Sequence, residues 1–185
     1  MPKKPYSVGI TGGTCSGKST ITTRLEGRLG SRYSMKVFHM DSYFLRPGFN
    51  VIAPITRKEY IERNHPDAVD MEGFLRDFNA ALSDSSLDLV ITEGLFTLWQ
   101  DEVREKLDLK VFIDLQSDER LYRRIKRWLD RQSMEEIADR YLDTVRFRHD
   151  EFVEPSRWHA DIVINGNLDS NAGTDILVSY IKSNL

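Results

Sequence analysis

Gly12-Gly13-Thr14-Cys15-Ser16-Gly17-Lys18-Ser19 is the stretch that decides the fold. It fits the pattern G-x-x-x-x-G-K-[ST] and follows a short apolar run at residues 6–11. After it, Ile21, Leu25 and Leu29 recur at four-residue spacing, which predicts a helix opening near Gly17. Glycines tolerate positive φ, so backbone N–H groups can turn inward around a phosphate. The helix start adds partial positive charge. Lys18 has the reach for β- and γ-phosphates, and the Ser19 hydroxyl suits Mg²⁺. The plain alternative is a glycine-rich turn with no ligand. At ordinary glycine usage, roughly 1% of chains this long would match by chance, and the strand-to-helix setting lowers that further. Gly12, Gly13, Thr14, Cys15, Ser16, Gly17, Lys18, Ser19 and Thr20 therefore read as a nucleotide phosphate cradle, with Cys15 a small filler.

Outward from this loop, short apolar runs alternate with longer helical periods, as in βαβ units. Residues 6–11, 35–40, 87–92, 109–114 and 161–164 read as strands. Helices are expected at 71–82, 117–131, 133–152 and 172–181. Ser133 with Glu136 makes a capping box, and Pro155 is read as lying beyond that helix's end. Residues 41–66 hold three prolines and no clear period, so they read as loop with one short helix near 57–63. A loop of that length inside a compact domain is usually functional or disordered. The expected fold class is α/β, with a five-stranded parallel sheet and helices on both faces.

The 185 residues suit a single domain, and such a chain buries roughly 70% of its unfolded surface. The hydrophobic fraction of 40% and charged fraction of 30% are those of an ordinary globular chain. A formal net charge of -3 argues against general nucleic-acid binding. One cysteine permits no intrachain disulfide. Met-Pro-Lys-Lys-Pro leads into no apolar signal run, and no segment has the length of a membrane span. The expectation is a cytoplasmic protein, with no membrane partner and an oligomeric state left open.

Phosphate loops serve kinases, GTPase switches and ATPase motors alike. Asn-Lys-x-Asp, the guanine signature, is absent, as is Leu-Ser-Gly-Gly-Gln. Asp70-Met71-Glu72-Gly73 fits D-x-x-G, but no apolar strand precedes it, so it reads as coincidence. Asp41-Ser42-Tyr43-Phe44 directly follows the second strand, where α/β sheets bind ligands. A carboxylate there can accept the proton of an attacking hydroxyl. The competing reading of Asp41 is a turn cap. On the 117–131 helix, Leu121, Ile125, Trp128 and Leu129 share one face, and Arg120, Arg124, Arg127 and Arg131 another. That basic face is either solvated surface or a lid over triphosphate charge. The four histidines show no metal-ligand spacing, and Trp99, Trp128 and Trp158 read as packing residues.

Taken in order, Gly-Gly-Thr-Cys-Ser-Gly-Lys-Ser-Thr (12–20), Asp-Ser-Tyr-Phe (41–44), His-Pro-Asp-Ala (65–68) and Glu-Gly-Leu-Phe (93–96) resemble the uridine kinase family. So do Arg-Leu-Tyr-Arg-Arg (120–124), Arg-Tyr-Leu-Asp-Thr-Val (140–145), Phe-Val-Glu-Pro (152–155) and Ala-Asp-Ile-Val-Ile (160–164). The likeness covers nearly the whole chain and extends to phosphoribulokinases and nicotinamide riboside kinases. It implies a P-loop NTPase three-layer fold over residues 1–185, with a helical lid at about 117–133. It also implies ATP and Mg²⁺, and transfer to the 5′-hydroxyl of a uridine- or cytidine-like nucleoside. By the same resemblance Asp41 is the general base, and Lys18 and Arg124 share the catalytic work. Ser19 and Glu93 stand at the metal, and Arg127 and Arg131 face the nucleotide. Asp41, Tyr43, Asn64, His65 and Arg124 meet the acceptor.

Three departures concern that acceptor. Asn64 stands where the family usually has Asp, and Arg63 where it has an aromatic residue. The family's hairpin bearing a base-holding Tyr and His is missing, since only residues 83–86 join the 71–82 helix to the next strand. The alternatives are a kinase for nicotinamide riboside or a non-nucleoside alcohol such as a sugar phosphate or small acid. A silent nucleotide-binding module is a third, though it would have no use for Asp41.

Overall fold

The computed structural model describes residues 4–167 and 171–185. The opening Met1–Lys3, part of the stretch read above for a leader peptide, lie outside the described residues. Its centre is a five-stranded sheet ordered β2-β5-β1-β6-β7, and every pairing in it is parallel. The strands are β1 (Tyr6–Gly12), β2 (Met35–His39), β5 (Leu89–Glu93), β6 (Leu109–Asp114) and β7 (Ile162–Asn165). Each lies within two residues of the expected boundaries. The two remaining strands form a separate hairpin, described below.

The sheet is covered on both faces because its strands send alternate residues to opposite sides. Leu89, Ile91, Val111 and Ile113 join a core with Ile21, Leu25 and Leu29 of α1 (Lys18–Leu29) and Leu177 of the C-terminal helix (Ala172–Lys182). Val90 and Phe112 turn the other way, onto Phe74 and Phe78 of α2 (Met71–Leu82) and onto Phe152. Asp70 is the N-cap of α2, its Oδ1 accepting from Gly73 N at 2.9 Å. The D-x-x-G match is thus a helix cap followed by a glycine pressed against the capping carboxylate. Among the described residues no helix is long and apolar enough to cross a membrane.

Two expectations need correction. The helix foreseen near 57–63 is a strand: β3 (Asn50–Ile52) and β4 (Glu59–Ile61) form an antiparallel hairpin, with Val51 opposite Tyr60. The run Glu-Tyr-Ile carries strand-forming side chains, and Arg57 at φ 61 supplies the turn. Pro155 does not lie beyond the second long helix but inside it. That helix opens at α5 (Met134–Arg140) behind the predicted Ser133–Glu136 capping box and continues to Glu154–Ser156. Two wide π turns, Tyr141–Val145 and His149–Val153, interrupt its α geometry. The second ends two residues before Pro155, where a widened turn relieves the clash a proline makes with the preceding turn's carbonyl.

The hairpin and α5 are tied together. Thr56 and Tyr60 hydroxyls both donate to Asp143 Oδ2 at 2.7 Å. Lys58 pairs with Asp139 at 2.7 Å, and Arg140 Nη2 donates to the Ile61 carbonyl at 2.7 Å. These bonds bring sequence-distant residues to one end of the sheet, beside the phosphate loop.

Candidate active site

The loop between β1 and α1 holds its shape through unusual backbone angles. Gly12 has φ 147 and Gly17 φ 108, both in the region L side chains rarely adopt. A Cβ at Gly12 would also stand 2.4 Å from the Ile113 carbonyl oxygen. Cys15 adopts φ 59, so the small residue there sits in the left-handed region. Lys18 Nζ donates to the Gly12 and Gly13 carbonyls at 3.0 Å each, which curls the loop around the ammonium. Burial pushes the Lys18 pKa down, opposed by the carboxylates of Glu93 and Asp41.

Those carboxylates arrive from the ends of neighbouring strands. Glu93 closes β5 and is 5% exposed, its Oε1 receiving Ser19 Oγ at 3.1 Å and lying 2.7 Å from His39 Nδ1. His39 ends β2 in direct register with Glu93. His39 has no metal-ligand spacing in the sequence; its place at the end of the second strand, level with Glu93 at the end of its neighbour, is the signal that marks it. Asp41 follows in a 3₁₀ turn, Met40–Tyr43, whose N-cap is His39 with no side-chain cap bond. Asp41 is therefore not a turn cap. Solvent reaches it in the open cleft while protein crowds around it, and this partial desolvation raises its pKa, with Lys18 pulling the other way.

Two cavities meet at this point. One, of about 380 Å³, is lined by Thr14, Cys15, Gly17, Lys18, Ser19, Thr20, Asp41, Glu93, Arg123, Arg127 and Trp128, among others. The second, of about 250 Å³, is lined by Thr14, Asp41, Phe44, Arg63, Asn64, Leu95, Arg124, Trp128, Gln132 and Arg140. Asp41 belongs to both. It stands where the phosphate-loop cavity opens into its neighbour.

The arginines of α4 (Ser117–Trp128) divide by depth. Arg120, expected on an open basic face, is 4% exposed, donates from Nε to the Leu115 carbonyl at 3.0 Å and wedges against Gly13. Arg124 Nη1 donates to Thr14 Oγ1 at 3.2 Å, and the guanidiniums of Arg124 and Arg127 lie 4.7 and 4.9 Å from the Trp128 ring. Trp128 is thus a cleft residue rather than simple packing. Leu129, expected on the apolar face, is 56% exposed. Arg131 pairs with Asp130 at 3.6 Å, its side chain 75% exposed, and lines neither cavity. His149, half-buried nearby, has its pKa pushed down to about 3, by desolvation first and then by Arg120 and Lys18.

Two expected acceptor contacts point elsewhere. Tyr43 turns its hydroxyl to Asp77 at 2.9 Å and its ring edge to Phe74, so it packs on α2 instead of facing the cleft. His65 accepts from the Asp67 amide at 3.1 Å and packs edge-on against Phe152, and it also lines neither cavity. Asn64 does reach the second cavity, beside Arg63. Arg63, Arg123, Gln132 and Arg140 join the cleft without having been singled out as site residues.

A scan of family models matches residues 76–171 to the "Phosphoribulokinase / Uridine kinase family". Uridine kinase of Clostridium botulinum (strain Okra / Type B1) is 30% identical over 97% of this chain and 97% of its own length. Uridine-cytidine kinase B of Dictyostelium discoideum is 29% identical over 99% of this chain and 84% of its own. Among solved structures, a possible uridine kinase from Bacillus stearothermophilus superposes with TM-score 0.58 at 19% identity, covering 89% of this chain and 91% of that one. The Clostridium alignment spans 204 positions against the 185 residues present here, so that relative carries segments this chain lacks.

Proposed function

The chain belongs to the phosphoribulokinase/uridine kinase family, a family of small-molecule kinases, and from that premise we propose ATP-dependent transfer to the 5′-hydroxyl of a nucleoside-like acceptor. One observation carries the reading: Asp41 lines both cavities, so a single carboxylate faces the phosphate loop and the neighbouring space at once. ATP occupies the first cavity with its phosphates in the 12–20 loop. The acceptor occupies the second. Asp41 takes the hydroxyl proton as the oxygen forms its bond to the γ-phosphorus, and ADP leaves with the electrons of the broken P–O bond.

The remaining residues balance charge. Lys18 stands at the β- and γ-phosphates, and Arg124 and Arg127 meet the transferred group from α4. Ser19 and Glu93, joined by a hydrogen bond, present hard oxygen donors to the first cavity, a pair that fits Mg²⁺. When bound, the ion offsets phosphate charge. His39, hydrogen-bonded to Glu93, orients that carboxylate. Asn64 offers its carbonyl or amide to the ribose side. Residues 117–133 act as the lid of one domain spanning 1–185, since Arg124, Arg127 and Trp128 already overhang the loop. A single-cysteine kinase that draws on ATP fits a cytoplasmic setting.

The test is an ADP-release assay with Mg²⁺-ATP and uridine, cytidine or no acceptor. Release that depends on the acceptor is expected. Equal release with and without acceptors would reduce the protein to an ATPase or a binding module.

A further inference from the structure

The second cavity carries more positive charge than a neutral acceptor can use. Arg63, Arg124 and Arg140 line it, and Asp41 is its only acidic lining residue. None of the three arginines forms an ion pair among the described residues. The nearest candidate partner, Glu62, is already engaged. Its Oε2 accepts from Arg148 at 3.0 Å and its Oε1 from the Arg63 and Asn64 amides at 2.9 and 2.7 Å.

Arg140 satisfies one nitrogen on the Ile61 carbonyl, while its Nε is buried with no partner. Arg124 likewise has a buried Nε without a partner. The charge of Arg140 is disfavoured first by burial and then by the neighbouring Arg63 guanidinium. Like charges crowded into a shared cavity raise the energy of the empty site, and an anion relieves it. Arg124 reaches Thr14 of the phosphate loop and is therefore shared with the transferred phosphoryl group. Arg63 and Arg140 line the acceptor cavity alone.

We infer that the acceptor is an anionic alcohol, whose carboxylate or phosphate lies against Arg63 and Arg140 while its hydroxyl faces Asp41. A guanidinium fork pairs two N–H groups with two oxygens of such an anion, a match that neither a neutral base edge nor a sugar hydroxyl provides. Asn64 and Gln132 supply the neutral polar contacts in between. This rests on the kinase reading, because the position of Asp41 defines the end where the hydroxyl must sit.

The experiment compares paired probes that differ only in charge: uridine with its 6-carboxylate orotidine, and ribulose with ribulose 5-phosphate. Each is titrated calorimetrically against the full chain without ATP, and each is then assayed for ADP release. The anionic member of at least one pair should bind at least about tenfold more tightly. Preference within the first pair assigns a carboxylate, and preference within the second a phosphate. Arg63→Met should erase most of that preference, lowering the affinity for the anionic member of the pair several-fold more than the affinity for its neutral partner. Because the Arg63 side chain has no hydrogen-bond or ion-pair partner among the described residues, this variant tests charge rather than folding. Arg140→Met should act in the same direction, with Arg140→Lys retaining part of the preference. Equal affinity within both pairs, unaltered in Arg63→Met, would overturn the inference and leave acceptor-dependent ADP release untouched. Charge-dependent binding without any ADP release would uphold the anion site and overturn the kinase reading instead.

Discussion

The two ends of the cleft are built by different means. The phosphate end comes almost wholly from one continuous stretch, residues 12–20, with Glu93 and Asp41 delivered by the ends of adjacent parallel strands. The acceptor end gathers Phe44, Arg63 and Asn64, Arg124 and Trp128, and Arg140 from four separate segments. It is held by the hairpin's bonds to Asp139, Arg140 and Asp143. A site written in one local stretch can keep its chemistry while the rest of the chain changes. A site assembled at long range changes its selectivity with each segment that contributes to it. Substitutions at the first end should therefore strike turnover, and those at the second should strike acceptor choice.

The largest effect should come from Lys18. Lys18→Ala removes a cation from phosphate binding and from the transition state together, so kcat/KM should fall by at least ~10⁴-fold. Among the described residues its Nζ bonds only to loop carbonyls, and thermal unfolding should show the fold intact. Near-normal turnover would erase the distinction between the two ends.

Asp41→Asn comes next, because Asp41 stands at the border. It should lower kcat by roughly 10²–10⁴ with ATP affinity kept, the usual worth of a general base. Since Asp41 has a raised pKa, kcat/KM should fall on acidification at a pH above the ordinary carboxylate range. The same shift bears on stability. A group that holds its proton more tightly when folded costs stability as pH climbs from its unfolded pKa through its folded one, and the cost persists above. At neutral pH Asp41→Asn should thus melt higher than the parent. Full activity with a lower melting point would return Asp41 to a structural role.

The same contrast explains what was legible in the sequence. Strands β1, β5 and β6 showed as apolar runs because central parallel strands buried on both faces need them, and the edge strands β2 and β7 showed through shorter apolar runs. The phosphate loop showed because few sequences can adopt its backbone. The hairpin did not, since β3 and β4 are three residues each and their partner Asp143 lies some eighty residues away, in the wide turn that follows α5. Tyr43 was placed in the site by motif alone, and only the tertiary contact with Asp77 reveals that it faces α2. Arg120 and Arg131 illustrate the limit of helix periodicity. A shared face does not fix how deep each residue lies when the helix end leaves the body of the protein.

A smaller effect is expected where the hairpin is anchored. Asp143 accepts two hydroxyl bonds, and Tyr60's hydroxyl is the leading cause that holds its carboxyl below the usual carboxylate range. A depressed folded pKa contributes stability above the unfolded value and loses it as pH falls through the folded one. Asp143→Ala should speed amide exchange across residues 50–61 and raise the acceptor KM about tenfold, leaving kcat and the ATP KM nearly unchanged. A fall in kcat equal to the rise in KM would mean that the hairpin supports the chemistry as well as the choice.

The smallest difference should appear among neutral bases. A pocket discriminates strongly only when it buries polar groups that the wrong substrate leaves unpaired. Residues 83–88 leave no room for a base-holding hairpin between α2 and β5, and the hairpin that is present engages α5 and the turn after it through its polar groups. The cavity's polar lining sets guanidinium groups beside the side-chain amides of Asn64 and Gln132, and an amide both donates and accepts hydrogen bonds. Uracil and cytosine differ at one edge by an exchange of acceptor for donor, and a side-chain amide can turn to pair with either, so Asn64 and Gln132 separate them weakly. Values of kcat/KM for uridine and cytidine should accordingly lie within about tenfold, near 1.4 kcal/mol. The ribose side keeps Asn64, so 2′-deoxyuridine should lose more than a change of base does. Measuring uridine, cytidine and 2′-deoxyuridine under one set of conditions decides the matter. A preference above a thousandfold for one base would mean that β3 and β4, or residues joining them to β2, form a base-reading wall, and that the acceptor end is as sharply specified as the phosphate end.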